Sequence, residues 1–345
     1  MYSFKNDYNQ TCHPKIVEAL KEIEDYQFSG YGLDEICDRA KTKINTALES
    51  NSDIHFLVGG TQTNLTVISY LLKPYQGVIS VDTGHINVHE TGAIEACGHK
   101  VISIISNDGK LKAKDVEDLI KSHYEDDNCE HCTMPGMVYI SNPTELGTLY
   151  TKKELSDLYS VTKKYDIPLY LDGARLAYAL SGLNNDIALN EYKNLVDVLY
   201  IGGTKCGALF GEAVVFNQSK LSKNFRYSMK QRGGMLAKGF LLGLQFDILF
   251  SDNLYYELGK HANDIAFVLN DELEKRNIKM FSKRYSNQLF LILNKKVIEA
   301  LKEKYAFEYW SDVDENTACI RIVISWSTQK EKIFEFINDF DAICM

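Results

Sequence analysis

Between Ile54 and Phe216, short apolar runs recur along the chain, each separated from the next by residues with helical spacing. The runs are Ile54–Val58, Gly77–Val81, Lys100–Ile105, Met137–Ser141, Ile167–Leu171, Leu195–Ile201 and Glu212–Phe216. Several are β-branched and apolar almost throughout, as strands covered on both faces must be. Strands alternating with helices predict an α/β fold, here a mostly parallel seven-stranded sheet wound with helices on both sides. Lys110–Lys121 and Lys152–Tyr165 have the spacing of crossover helices, and Thr151 stands three residues before Glu154, as in a capping box.

After Phe240 the texture changes. A long helical stretch, Phe240–Arg276, precedes an apolar run at Gln288–Asn294, a helix near Lys296–Lys304, a second run at Ala318–Trp326 and a terminal helix. This predicts a smaller α+β domain. With 345 residues the chain exceeds the usual size of one core. The expected division is an N-terminal arm packing on both domains (1–30), a large domain (31–245) and a small C-terminal domain (246–345). A net charge of −9 disfavours nucleic acid and anionic membrane, both of which call for cationic patches, and leaves a small molecule as the expected partner. The first residues lack the apolar core of a signal peptide, and no run approaches the roughly 20 residues of a membrane span, so a cytoplasmic protein is expected. Eight scattered cysteines read as reduced thiols.

Three segments at strand ends carry chemistry. In Val58-Gly59-Gly60-Thr61-Gln62-Thr63-Asn64, glycines let a ligand approach the backbone, and the opening helix offers free N–H groups to an anion such as phosphate. A tight strand-to-helix turn capped by Thr61 fits the same letters. In Leu169-Tyr170-Leu171-Asp172-Gly173-Ala174-Arg175, an acid ends an apolar strand on the edge where doubly wound sheets bind ligands. It serves either as a helix cap paired with Arg175 or as the group that keeps a pyridine nitrogen protonated. In Leu199-Tyr200-Ile201-Gly202-Gly203-Thr204-Lys205-Cys206-Gly207, a lysine is lodged in a glycine-rich turn just past a strand. Desolvation or a nearby cation would make it a neutral amine, nucleophilic toward an aldehyde. The order of phosphate turn, Asp-x-x-Arg and Lys favours the functional reading of all three.

These residues resemble the threonine aldolase and aromatic amino acid β-eliminating lyase family of fold-type-I pyridoxal-phosphate enzymes, over most of the chain. The resemblance implies pyridoxal 5'-phosphate as cofactor and an amino acid as substrate. It puts Gly60, Thr61 and Gln62 at the phosphate, His85 of His85-Ile86 against the cofactor ring, Asp172 at the ring nitrogen and Arg175 at the ring hydroxyl and substrate side. Leu171–Leu176 is similar to the family phrase almost letter for letter. Lys205 corresponds to the cofactor-bearing lysine and Thr204 to the serine beside it. Asn6, Tyr31 and Arg321 fall on the substrate side, with Tyr31-Gly32 reaching a neighbouring subunit and Arg321 taking the substrate carboxylate. Pattern alone leaves His85 open to an ordinary loop role. It also leaves Arg321 open to exposure, since Ile320, Ile322, Ile324 and Trp326 share the face opposite it.

Two departures bear on the reaction. The family's Glu-Asn-Thr-His is Ser141-Asn142-Pro143-Thr144-Glu145 here, so its second histidine is missing. Gly233-Gly234-Met235 leads to Leu236 where an arginine is expected, with Arg232, Lys230 and Lys238 as substitute cations. Cys129-Glu130-His131-Cys132 lacks a second ligand pair for a structural zinc and reads as a polar loop, so no metal is expected.

The implied activity is retro-aldol cleavage of L-threonine or L-allo-threonine to glycine and an aldehyde, with Lys205 and His85 as catalytic residues. The rivals are β-elimination on another amino acid, a non-catalytic cofactor-binding protein, and a metal-dependent module. Because Tyr31 is implied to serve a neighbouring site, the expected particle is a homodimer or homotetramer, and mass measurement in solution should show no active monomer.

Overall fold

A computed structural model describes residues 1–344. After a short strand β1 (Tyr2–Ser3), the larger sheet comprises β2 (Asp53–Leu57), β3 (Gln76–Val81), β4 (Val101–Ile104), β5 (Met134–Ser141), β6 (Leu169–Gly173), β7 (Val198–Gly202) and β8 (Glu212–Phe216). Their order is β2-β8-β7-β6-β5-β3-β4. The β3–β4, β3–β5, β5–β6 and β6–β7 pairs are parallel, and β8 runs antiparallel to both β7 and β2. The seven-stranded, mostly parallel sheet expected from the alternation is therefore present.

Alternation within strands fills a core on each face. Leu169, Leu171, Leu199 and Ile201 enter one apolar cluster, while Tyr170, Val198 and Tyr200 enter the other. Period-two geometry sends successive side chains to opposite faces, and helices cover both. The Lys152–Lys164 helix starts with the expected reciprocal cap, Thr151 and Glu154 each bonding the other's backbone.

Two expectations need correction. The stretch Phe240–Arg276 is two helices, Phe240–Leu249 and Leu254–Lys275. Asp252 and Asn253 stand between them with φ of 51° and 59°, a left-handed turn that a continuous right-handed helix cannot contain and that short polar side chains tolerate best. The run from Leu195 yields a strand only from Val198. Asp197 is drawn into a buried polar cluster instead, its carboxylate accepting from the Leu169 N–H at 2.8 Å and from Lys163 Nζ at 2.5 Å.

The second sheet consists of β9 (Lys279–Met280), β10 (Gln288–Asn294), β12 (Glu308–Asp312) and β13 (Thr317–Val323), ordered β12-β13-β10-β9 and antiparallel. The two-residue strand β11 (Tyr305–Ala306) pairs with β1 instead. Leu289, Leu291, Ile320, Ile322 and Ile333 build its core, into which the N-terminal Phe4 is inserted. Phe4 is tied there by backbone bonds to Ala306 and Val323. The chain's first residues thus pack with this smaller sheet rather than with the larger one.

The Leu254–Lys275 helix joins the two cores. It packs on the Leu176–Leu180 helix, and Asn263 Nδ2 donates to the Tyr178 carbonyl at 2.8 Å. Gly259 makes that approach possible, because a Cβ there would stand 2.2 Å from the Ala177 carbonyl oxygen. Among the described residues, no helix is long and apolar enough to cross a membrane. Gly259→Ala should force the two helices apart and lower unfolding free energy by about 1–3 kcal/mol, read as a fall in the urea midpoint.

Candidate active site

The carboxyl ends of β5, β6 and β7, the Gly60–Leu71 helix, the start of β8 and the N-terminal arm enclose a cavity of about 360 Å³. Its walls include Gly59, Gly60, Thr61, His85, Glu145, Asp172, Arg175, Thr204, Lys205 and Glu212. Residues far apart in sequence converge because strands of one parallel sheet all present their carboxyl ends on one edge.

Asp172, the fourth residue of β6, is 5% exposed. Its Oδ2 accepts from Asn64 Nδ2 at 3.0 Å and from the Tyr139 hydroxyl at 2.7 Å, and its Oδ1 accepts from the Ala174 N–H at 2.8 Å. All three donors are neutral. Asn64 is the joint of a longer chain: its amide also donates to Glu90 Oε1 at 2.7 Å, which meets His85 Nδ1 at 2.7 Å. The His85 ring is thereby linked to Asp172 through two buried groups. Asn64 lay within the strand-to-helix segment singled out from the sequence, but nothing in that segment tied it to an aspartate 108 residues onward.

Lys205 follows β7 in a turn held on all sides. The Tyr178 hydroxyl donates to the Lys205 carbonyl, and the His13 N–H to Gly207 at 2.8 Å. Glu212 braces the same turn, accepting from the Thr204 hydroxyl at 2.7 Å and the Gly203 N–H at 3.1 Å. Burial, and secondarily Arg175, pull the Lys205 ammonium below the ordinary lysine range. Burial also pushes Glu212 up to about 7. Thr204 spends its hydroxyl proton on Glu212, so its part is to hold the turn.

At the other end, the Gly60–Leu71 helix starts without a side-chain cap, and its first-turn N–H groups open on the cavity wall formed by Gly59, Gly60 and Thr61. Gln62 departs from the expectation. Its side chain turns the other way, accepting from the Val58 N–H at 3.3 Å and donating to the Arg232 carbonyl at 3.2 Å. Only its backbone can serve an anion there.

Arg175 lines the cavity with part of its guanidinium engaged. Nε and Nη2 donate to the two oxygens of Asp7 at 2.8 and 3.0 Å, and Asn287 Nδ2 donates to Asp7 Oδ2 at 3.0 Å. Burial by itself would raise the Asp7 carboxyl, but Arg175 and Lys205 outweigh it and hold the group below the usual carboxylate range. Asp7 escaped sequence reasoning, since an acid in an N-terminal arm gives no sign of the arginine it meets 168 residues later.

Asn6, Tyr31 and Arg321 do not line the cavity. Asn6 Oδ1 caps the Tyr8 N–H at 3.1 Å, and Tyr8 itself reaches the cavity wall. Tyr31 stands in a separate surface depression with Lys230 Nζ 4.6 Å from its ring centroid. Arg321 lies on β13 opposite its isoleucines, as the alternation required, but pairs with Glu308 and donates to Gln288 Oε1 at 3.2 Å. Arg232, Lys230 and Lys238 are likewise absent from the cavity lining of their own chain. In the Ser141–Glu145 turn, Asn142 points inward to the Tyr192 hydroxyl at 2.9 Å, whereas Glu145 faces the cavity. Cys129–His131 form one turn of 3-10 helix, and among the described residues no group of three His, Cys, Asp or Glu side chains is placed to hold a metal.

A mostly parallel sheet with an acid and a lysine meeting at its carboxyl edge, followed by a smaller antiparallel sheet, is the fold-type-I architecture. The family model for the beta-eliminating lyases matches residues 14–296, and the chain belongs to that family. A solved threonine aldolase from Leishmania major is 42% identical, covers 100% of both chains and superposes with a TM-score of 0.97. A curated low specificity L-threonine aldolase from a Pseudomonas species is 28% identical over 98% of this chain and 96% of its own length. Cystalysin from Treponema denticola, whose structure contains pyridoxal 5'-phosphate, shares the fold at 16% identity and TM-score 0.71, over 96% of this chain and 88% of its own.

Proposed function

We propose that the chain is a pyridoxal 5'-phosphate-dependent aldehyde-lyase that cleaves L-threonine and L-allo-threonine to glycine and acetaldehyde. The observation that carries the reading is that Asp172 and Lys205 face one cavity, neither paired with an opposite charge within 4 Å among the described residues. A buried carboxylate surrounded only by neutral donors fits a protonated ring nitrogen, and an uncapped helix start fits a phosphate. The whole-length likeness to the Leishmania and Pseudomonas threonine aldolases supports the choice of reaction.

When bound, the cofactor supplies a conjugated, electron-withdrawing ring that stabilises the electron pair left at the substrate Cα. Asp172 would hold the ring nitrogen protonated. Gly60 and Thr61 receive the phosphate on backbone N–H groups, with the Gln62 N–H beside them. Lys205, its ammonium drawn below the ordinary lysine range by burial and by Arg175, would hold the cofactor through its amine. His85, steadied through Glu90, would pack on the ring from the cavity wall. Asp7 fixes Arg175 along one edge and leaves Nη1 for the substrate side, where the carboxylate is oriented; that orientation decides which bond at Cα breaks. Arg321 is the second candidate for the carboxylate, and Asn6 and Tyr31 serve the substrate side in an assembled homo-oligomer. A cytoplasmic location is part of the same reading and accords with the net charge of −9.

The purified protein should be yellow, and Lys205→Ala should lose the visible absorbance while keeping its far-UV circular dichroism; a mutant with an unchanged spectrum would remove the assignment. Steady-state rates on the four threonine stereoisomers should show both L-isomers cleaved, with kcat/KM differing by no more than roughly two orders of magnitude, because a single polar contact at Cβ is worth only a few kcal/mol. If neither L-isomer releases acetaldehyde while another amino acid loses its β-substituent, β-elimination replaces this reading.

A further inference from the structure

Glu145 is the one ionisable side chain of the turn that follows β5, and the turn is built to aim it. Asn142 is anchored inward on Tyr192, and the Thr144 hydroxyl meets that of Thr148 at 2.7 Å. Between these anchors Glu145 lines the cavity with Lys205, Asp172 and His85. Its two oxygens differ. Oε1 accepts from the Ser141 hydroxyl at 2.7 Å and from the His85 N–H at 2.9 Å. Oε2 has no hydrogen bond among the described residues, and it is not among the enclosed atoms that lack a partner. A carboxyl with one oxygen fixed by two donors and the other open to a reaction cavity is an oriented proton acceptor.

We propose that Glu145 is the catalytic base that takes the proton from the β-hydroxyl of the substrate. This rests on the retro-aldol reading above. The Oε2 atom forms the new O–H bond, and the pair released from the substrate O–H becomes the second C–O bond of the departing aldehyde. The Cα–Cβ bond breaks with its pair retained at Cα, where the bound cofactor stabilises it. A proton from solvent then completes the Cα–H of glycine, and Glu145 returns its own proton to solvent.

The surroundings of Glu145 suit this task. Burial pushes its carboxyl above the ordinary 4.5, and the charge of Asp172 on β6 adds to the rise. The Ser141 hydroxyl and His85 act the other way. Tyr139 on β5 and Tyr150 beyond the turn also face it, and burial raises both phenols well above their usual value, so they stay neutral. The base acts only when ionised. The rate should therefore fall as pH drops through this raised pKa.

The test compares wild type, E145Q, E145D and H85N in two measurements: equilibrium binding of glycine, which has no β-hydroxyl, and the pH profile of kcat/KM for L-threonine. E145Q should bind glycine as wild type does, lose about 10²–10⁴-fold in kcat/KM and lose the acid limb of the profile. E145D should recover part of the rate together with an acid limb, and H85N should keep that limb. The proposal is overturned if E145Q retains the limb, if its glycine binding falls in step with its rate, as a merely structural role requires, or if the wild-type profile itself has no acid limb, a reading that needs no variant. Wild-type protein that releases acetaldehyde while failing these tests removes Glu145 alone. Wild-type protein that releases none from either L-isomer removes the retro-aldol reading with it.

Discussion

An unpaired buried carboxylate organises this molecule. Asp172 sits at the end of a strand covered on both faces, where an isolated charge is costly and must be met by donors. The structure supplies three from separate parts of the chain: Asn64 from the first long helix after β2, Tyr139 from β5 and the N–H of Ala174. None carries a charge, so no cation of the chain pairs with Asp172 within 4 Å among the described residues. Bringing those donors together fixes the register of β5 against β6 and seats the Gly60–Leu71 helix on the sheet. The same helix start then faces the cavity with free N–H groups, so one constraint places both a cation-seeking and an anion-seeking end of the pocket.

The two cores are coupled through that pocket. The N-terminal arm enters the smaller sheet through Phe4, yet three residues later Asp7 grips Arg175 beside the larger sheet, with Asn287 completing the contact. A buried ion pair of this kind contributes little net stability, because desolvation offsets most of the attraction, but breaking it would strand an arginine. Its consequence is geometric. Arg175 is held along one edge, and Asp7 and Asn287 tie the cavity wall to the smaller sheet. The Leu254–Lys275 helix supplies a second tie, through Asn263 to Tyr178 and from Tyr178 to the turn that bears Lys205.

Asp7, Glu145, Glu212 and Lys205 stand close together, and they shift differently because their partners differ. Asp7 has an arginine and is held low. Glu212 and Glu145 have mainly hydroxyl and amide donors and are raised. Lys205 is lowered by desolvation and by Arg175 while the nearby acids pull back. The pocket therefore holds raised carboxyls and a lowered ammonium beside a carboxyl held low, and the neighbour of each group, rather than its residue type, sets the direction.

The alternation of apolar runs determined the sheet, because strands buried on both faces and helices with one apolar face have different periods that survive in any arrangement. Gly60, Asp172 and Lys205 were legible for the same reason: each stands within three residues of a strand end, and strand ends of a parallel sheet must share an edge. The sequence left open what depends on partners distant along the chain. It showed Asp7, Asn64 and Glu212 as ordinary polar residues and ran one helix through Asp252 and Asn253, while the family resemblance put Arg321 at the substrate carboxylate and Gln62 at the phosphate. Only the tertiary structure decided that Arg321 meets Glu308, that Gln62 turns to Arg232, and that of the residues after β5 Asn142 goes inward and Glu145 outward. Periodicity is a property of neighbours along the chain, whereas the direction and protonation of a polar side chain are set by what the fold brings against it.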